Sequence, residues 1–416
     1  MARDHRPGAN LGRPFNGLWF ATAAANLGDG IVLFTLPLLA IAAGASDGLV
    51  ALITTLATLA WPVFGIHGGW LVDRLSARRV LFWANLIRGL YLVGLAVVML
   101  LGVLPFWVVA VAAVLYGIAE VLVDTSLVSA VPSTVLPARR GAANARIEAT
   151  LTVANDFAGP PIAGALIAAA HVFAVATGGA LYLLALAGIG FMRRVSEPPH
   201  VDKPDRRVRA GMSFLWRSLT LRWLTLVNAG MNLVWGMVLA VLVLYVVAPG
   251  PLGESPFTYG LMFTGFAIGG LLASLSYGWL RNRLGVTVLL FLDTLGTLAI
   301  ALVPALGASF WFVFAAAGVA AAGSSIWRIL NSGIRQHLVP EYLLGRVYSA
   351  SRVISWGALP VGSALASVLV TVGGLSTVFI TASVIGGVMV VAFVVLALRH
   401  PLGDADGHEA ARVPAS

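Results

Sequence analysis

The segment Gly69-Trp70-Leu71-Val72-Asp73-Arg74-Leu75 closes one apolar block of the chain, and Gly278-Trp279-Leu280-Arg281-Asn282-Arg283-Leu284 closes another in the second half. A signature that returns at an equivalent place in two halves marks a duplicated unit. A second echo supports the duplication: Gly159-Pro160-Pro161-Ile162-Ala163-Gly164 is matched by Leu359-Pro360-Val361-Gly362.

The blocks that these segments close are too oily for a soluble protein. The 416 residues are 59% hydrophobic and 10% charged, whereas soluble domains run near 45–50% apolar and about 25% charged. The apolar residues fall in runs of roughly 20, the length that crosses a hydrocarbon core of about 30 Å. Twelve spans follow, at 15–43, 49–71, 80–102, 105–130, 149–170, 172–192, 222–247, 258–280, 286–306, 309–331, 349–371 and 374–398. The expected fold class is an all-α membrane protein of twelve transmembrane helices in two six-helix halves. The first block follows Arg3, Arg6 and Arg13, but its apolar run is too long for a signal peptide, so it reads as a retained anchor.

Charge fixes the expected orientation. Arg74, Arg78 and Arg79 follow span 2, Arg139, Arg140 and Arg146 follow span 4, and Arg281 and Arg283 follow span 8. The alternate loops, near Asp47, Leu104, His171, Glu254, Gly307 and Gly373, contain no Lys or Arg. Basic residues stay on the cytoplasmic side, which places both termini inside. The divisions expected are a first half over 1–192, a cytoplasmic central loop over 193–221, a second half over 222–398 and a disordered cytoplasmic tail over 399–416.

Several chemistries are excluded. With no cysteine, thiolate-held clusters, Cys-ligated zinc and disulfides are absent. The single lysine, Lys203, lies in a polar segment with no phosphate-binding glycine loop around it, so ATP hydrolysis of the P-loop kind is ruled out. The histidines are scattered and form no metal pair, so no metal, no enzyme constellation and no cofactor is expected. The net charge of +9 sits between oily blocks, which points to lipid headgroups and not to nucleic acid.

The span 2–3 loop, Gly69-x-x-x-Asp73-Arg74-Leu75-Ser76-Ala77-Arg78-Arg79, resembles the signature loop of the major facilitator superfamily, G-x-x-x-D-R-x-G-R-R/K. Ser76 stands where that pattern has its second glycine, and Ala77 where it has the first paired basic residue. Asn26-Leu27-Gly28-Asp29-Gly30, Ala143-Asn144-Ala145-Arg146, Gln336-x-x-Val339-Pro340 and Gly345-Arg346-Val347 resemble the branch that contains macrolide-efflux proteins and the enterobactin exporter. The resemblance implies a secondary transporter of the cell membrane, multi-pass and monomeric, with a small-molecule substrate and the proton gradient as its energy source.

Within that resemblance, Gly69, Asp73, Arg74, Arg78 and Arg79 form a conformational latch, repeated in the second half by Gly278, Asn282 and Arg283; the alternative is that these arginines set topology alone. Gly159, Pro160 and Gly164 partly match the family's antiporter motif, or serve only as a packing bend. Charges inside spans are costly and face a cavity or a partner. Asp29, Glu120, Asp124 and Asp156 are therefore the proton-site or substrate-site candidates, with Asp293 behind them; pairing with Arg88 or Arg146 is the competing reading. Glu120 and Asp124 share one helix face, and a shared proton relieves their repulsion, as proton coupling requires. Arg328 and Arg352 read as cytoplasmic-half anchors or latch partners. Asn228, Asn232 and Trp235 form a stripe suited to an amphiphilic ligand, or to interhelical hydrogen bonding. The expected function is proton-coupled efflux of a small amphiphilic drug or secondary metabolite by alternating access. The alternatives are an uptake carrier of the same fold and a non-transporting membrane scaffold.

Overall fold

The computed structural model describes residues 11–64, 74–192 and 208–399. These are almost wholly helical, with one isolated bridge between Val247 and Glu254. In chain order the helices are α1 (Arg13–Ala42), α2 (Asp47–Thr58), α3 (Ala77–Leu100), α4 (Phe106–Thr134), α5 (Arg140–Leu151), α6 (Gly159–Ala169), α7 (His171–Gly190), α8 (Val208–Arg217), α9 (Leu219–Val246), α10 (Pro256–Ala305), α11 (Phe310–Leu338) and α12 (Glu341–Arg399). A π-helical turn, Thr152–Ala158, joins α5 to α6.

Nine helices among the described residues are long and apolar enough to cross a membrane. Two of them are far longer than a crossing needs. At a rise of 1.5 Å per residue, the 50 residues of α10 would extend about 75 Å, more than twice the hydrocarbon thickness. Helical conformation breaks inside α10 at Gly285 (φ 76°, ψ 168°) and inside α12 at Gly374 (φ 74°, ψ −176°). Only glycine occupies that region without strain. The breaks fall between expected spans 8 and 9 and at the first residue of expected span 12.

Helix limits differ from expectation on the arginine-rich side. The helices at 140–151, 310–338 and 341–399 run beyond spans 5, 10 and 11, because helical hydrogen bonding continues past the point where hydropathy falls. The expected central loop also contains α8. Its Leu215 is buried with Leu221, Leu338, Val339, Leu343 and Val347, and Gly211 lies against the Arg346 backbone. Arg209 and Arg217 lower the hydropathy of this stretch, which hides its apolar stripe. Within the first half, α1 and α7 approach through Gly17 and Gly188, each lying against the other's carbonyl. Small residues permit this closeness in membranes.

The halves meet chiefly on the side away from the arginine-rich loops. The Ser367 hydroxyl donates to Gly48 O at 2.6 Å, and Thr55 donates to Ser363 at 2.9 Å. Gly164 of α6 abuts Pro256 and Phe257 of α10, and Gly260 of α10 abuts Pro160 and Pro161 of α6. Phe34 of α1 stacks on Tyr259 at 5.0 Å and meets Phe263 edge-on at 5.7 Å.

Candidate functional site

The middle of α1, Asn26-Leu27-Gly28-Asp29-Gly30, has glycines on both sides of its acid, so other helices come close. The Tyr182 ring packs on Gly28, and the Asn155 backbone packs on Gly30. Asp29 Oδ1 accepts from Arg88 Nη1 at 2.6 Å and from the Tyr182 hydroxyl at 2.8 Å. Arg88 Nη2 donates to Asn85 Oδ1 at 2.8 Å, and its guanidinium lies 4.1 Å from the Tyr182 ring centre. Asp29 and Arg88 are each 3% exposed. Asp29 thus sits inside the first half, paired with Arg88. A buried pair of this kind tolerates loss of one partner poorly, since the other charge remains uncompensated.

Glu120 and Asp124 stand one turn apart on α4 and are half-buried. Trp61 is a neighbour of Glu120, and Asp124 lies within electrostatic range of Arg352, Asp29 and Glu148. Asp156 is exposed on the π turn, and Arg328 of α11 is its charged neighbour. A π turn displaces the helix register and so re-aims its side chains. Gly159 closes on Gly30 immediately after that turn. Gly159, Pro160 and Gly164 therefore touch both α1 and the opposite half.

Asn232 Nδ2 donates to Asn228 O at 2.9 Å and to Asn228 Oδ1 at 3.1 Å, so the two amides satisfy one another along α9. Trp235 lies 5.6 Å from Phe266, which continues through Phe263 to Phe34 of the first half. Asp293 is fully buried, and neither oxygen has a hydrogen-bond partner among the described residues; Thr297 Oγ1 and Trp327 Nε1 are likewise without one.

Of the expected latch, Gly69 and Asp73 lie outside the described residues. Arg74 and Arg79 are exposed, and Arg78 Nη2 donates to Gly190 O at 3.3 Å, tying the start of α3 to the end of α7. Ser76, in the place of the family's glycine, has φ 69° and ψ 141°. In the second half Gly278, Asn282 and Arg283 are exposed, and Arg283 lies 5.9 Å from the Trp279 ring. Lys203 and the tail from 400 onward also lie outside the described residues.

Sequence reading missed Tyr182, Asn85, Trp61 and Trp356 as neighbours of the charged groups. Trp61 and Trp356 carried a usable signal, since they fall well inside or next to polar positions of their spans and not at span ends. Tyr182 had none. Among the described residues no group of three or more His, Asp or Glu could hold a metal.

Comparison with known proteins gives a consistent result. The family profile described as transmembrane secretion effector, one of the major facilitators, matches residues 11–415. The multidrug efflux pump Tap of Mycobacterium tuberculosis (strain ATCC 25618 / H37Rv) is 27% identical over 389 residues, which cover 87% of this chain and 88% of the pump; the Mycobacterium bovis (strain BCG / Pasteur 1173P2) pump matches to the same extent. Among solved structures, the nucleoside transporter NupG superposes with a TM-score of 0.74 at 12% identity, covering 93% of this chain and all of NupG (100%). A bacterial homologue of the iron transporter ferroportin, in an inward-facing state, gives 0.70 at 18% identity, covering 92% and 98%.

Proposed function

Because the chain belongs to the transmembrane secretion effector family of major facilitators, multi-pass transporters of the cell membrane and not enzymes, we propose that it exports a small amphiphilic drug or secondary metabolite in exchange for protons. The observation that carries this reading is the asymmetry of the contact between the halves. Backbone, hydroxyl and aromatic contacts gather on the arginine-poor side, while Glu120, Asp124 and Asp156 lie toward the arginine-rich side. With the arginines cytoplasmic, a ligand reaches the acids from inside and the outer path is shut.

In this reading the breaks at Gly285 and Gly374 turn α10 and α12 into two crossings each, and 140–169 supplies one more, giving twelve crossings with both termini cytoplasmic. The halves are 1–192 and 222–398. They rock against one another about a central cavity, and Arg74, Arg78, Arg79 and their second-half counterparts bias that equilibrium. Glu120 and Asp124 are the first choice for proton exchange, because they are half-buried and reachable; Asp156 is next. Asp29 acts by positioning α1, since Arg88 and Tyr182 already occupy it. A single copy suffices, no cofactor is needed, and the partners are the substrate and the lipid bilayer.

The Tap relative is named a multidrug efflux pump, which supports export over uptake. Expression in an efflux-deficient host tests this. We expect lower accumulation of an amphiphilic dye, restored by a protonophore. Faster dye entry would instead establish uptake, and unchanged accumulation with Asp124→Asn equal to wild type would favour a scaffold.

A further inference from the structure

Trp61 of the first half and Trp356 of the second pack against one another at a tilt of 54°, ring centroids 5.3 Å apart. The Arg352 guanidinium lies against both, 4.3 Å from the first ring and 4.8 Å from the second. Two carboxylates one turn apart on α4 are in the neighbourhood, Asp124 within electrostatic range of Arg352 without a salt bridge to it, and Glu120 near Trp61. Paired aromatic faces with negative charge nearby are what a desolvated organic cation requires.

The cation that fills this box belongs to the protein, and it is weakly fixed. Among the described residues Arg352 donates no hydrogen bond and forms no close ion pair, and its buried Nε has no partner. A guanidinium ordinarily spends its donors on a carboxylate in a fork. Arg88 shows the contrast, with Asp29 at 2.6 Å and Asn85 at 2.8 Å. Trp356 is 42% exposed, so the protein leaves one ring of the pair partly uncovered.

We propose that this box is the subsite for the charged end of the exported molecule, that the substrates are organic cations with an aromatic body, and that Arg352 is the internal stand-in that occupies it when no ligand is bound. The inference rests on the export reading and names its substrate class. An entering cation displaces the guanidinium from its place over the two ring faces. Since Trp61 and Trp356 belong to opposite halves, the ligand then takes over a contact that joins them, which links binding to the motion of the halves.

The test is binding of tetraphenylphosphonium to the full chain in nanodiscs, with neutral triphenylphosphine oxide as control. Arg352→Gln removes the competitor, and a cation–π contact of ordinary strength predicts about three- to tenfold tighter binding of the cation. The neutral control should gain nothing. Trp61→Leu in the Arg352→Gln background should lose the gain. Arg352→Met gives the same reading if the glutamine variant fails to fold. Equal or weaker cation binding by the Arg352 variants overturns the proposal, as does an equal gain for the neutral compound or no cation binding by any form. Failure of the export reading is separate: it shows as wild-type cells with no protonophore-sensitive change in dye accumulation.

Discussion

Replacing Gly260 by alanine should open the contact that closes the arginine-poor side. A Cβ at Gly260 would stand 2.6 Å from Pro160 O and 3.0 Å from Pro161 Cα, and one at Gly164 would stand 2.6 Å from Pro256 O and 2.8 Å from Phe257 Cα. Such separations lie well inside the roughly 3.5 Å at which non-bonded contacts become favourable. The opposing atoms are backbone, so no side chain can swing away; one helix must withdraw. Overpacking of this kind costs about 1–3 kcal/mol. Only the state in which the two helices touch bears that cost, so its population relative to the separated state should fall about 5–150-fold. Because the chain has no cysteine, labels can be placed at will. Leu101 and Leu306, each 74% exposed, lie at arginine-poor ends of the two halves. Spin labels there, read by double electron–electron resonance in nanodiscs, should show one dominant distance in wild type and a longer dominant component in Gly260→Ala. Gly94→Ala, where a Cβ meets nothing within 4 Å, should leave the distances unchanged. A Gly260→Ala distribution identical to wild type would refute the reasoning.

Three further substitutions probe other parts of the structure. Asp29→Ala leaves Arg88 buried without its carboxylate and should cost about 3–5 kcal/mol, with part of the loss recovered by adding Arg88→Leu; a single variant that melts with wild type contradicts the pairing. Ser76→Gly relieves a side chain held at φ 69° and ψ 141° and should stabilise by about 1 kcal/mol, visible as a raised melting temperature. Asp293→Ala removes two buried oxygens without partners and should stabilise by about 1–3 kcal/mol; a lowered melting temperature would show that the carboxyl is better satisfied than its surroundings indicate.

The helical membrane class and the places of Gly285 and Gly374 were legible because both follow from local composition: apolar runs of spanning length, interrupted by polar or glycine-bearing turns. The family was legible from Asp29 with its glycines and from the loop ending at Arg79. What lay beyond reach depends on contacts between distant segments. Nothing in α7 marks Tyr182 as the residue that approaches Asp29, 153 positions away. The π turn at Thr152–Ala158 stands where Pro160 and Pro161 cannot bond the carbonyls four residues back; the prolines marked a bend, but not its π form. Arg352 could be read as an anchor from its place near a span end, yet its neighbours, Trp61 and Trp356, come from both halves. The helix α8 escaped for a different reason: its arginines mask an apolar stripe that only the α11–α12 junction reveals.

Coupled exchange in proteoliposomes tests the account most directly. With the membrane potential clamped, an amphiphilic dye outside and an acidic interior, the purified chain should drive dye into the vesicles, at a rate that a protonophore abolishes and that Asp124→Asn greatly reduces. Dye entry that ignores the proton gradient, or that runs in the same direction as the protons, would contradict proton-coupled export.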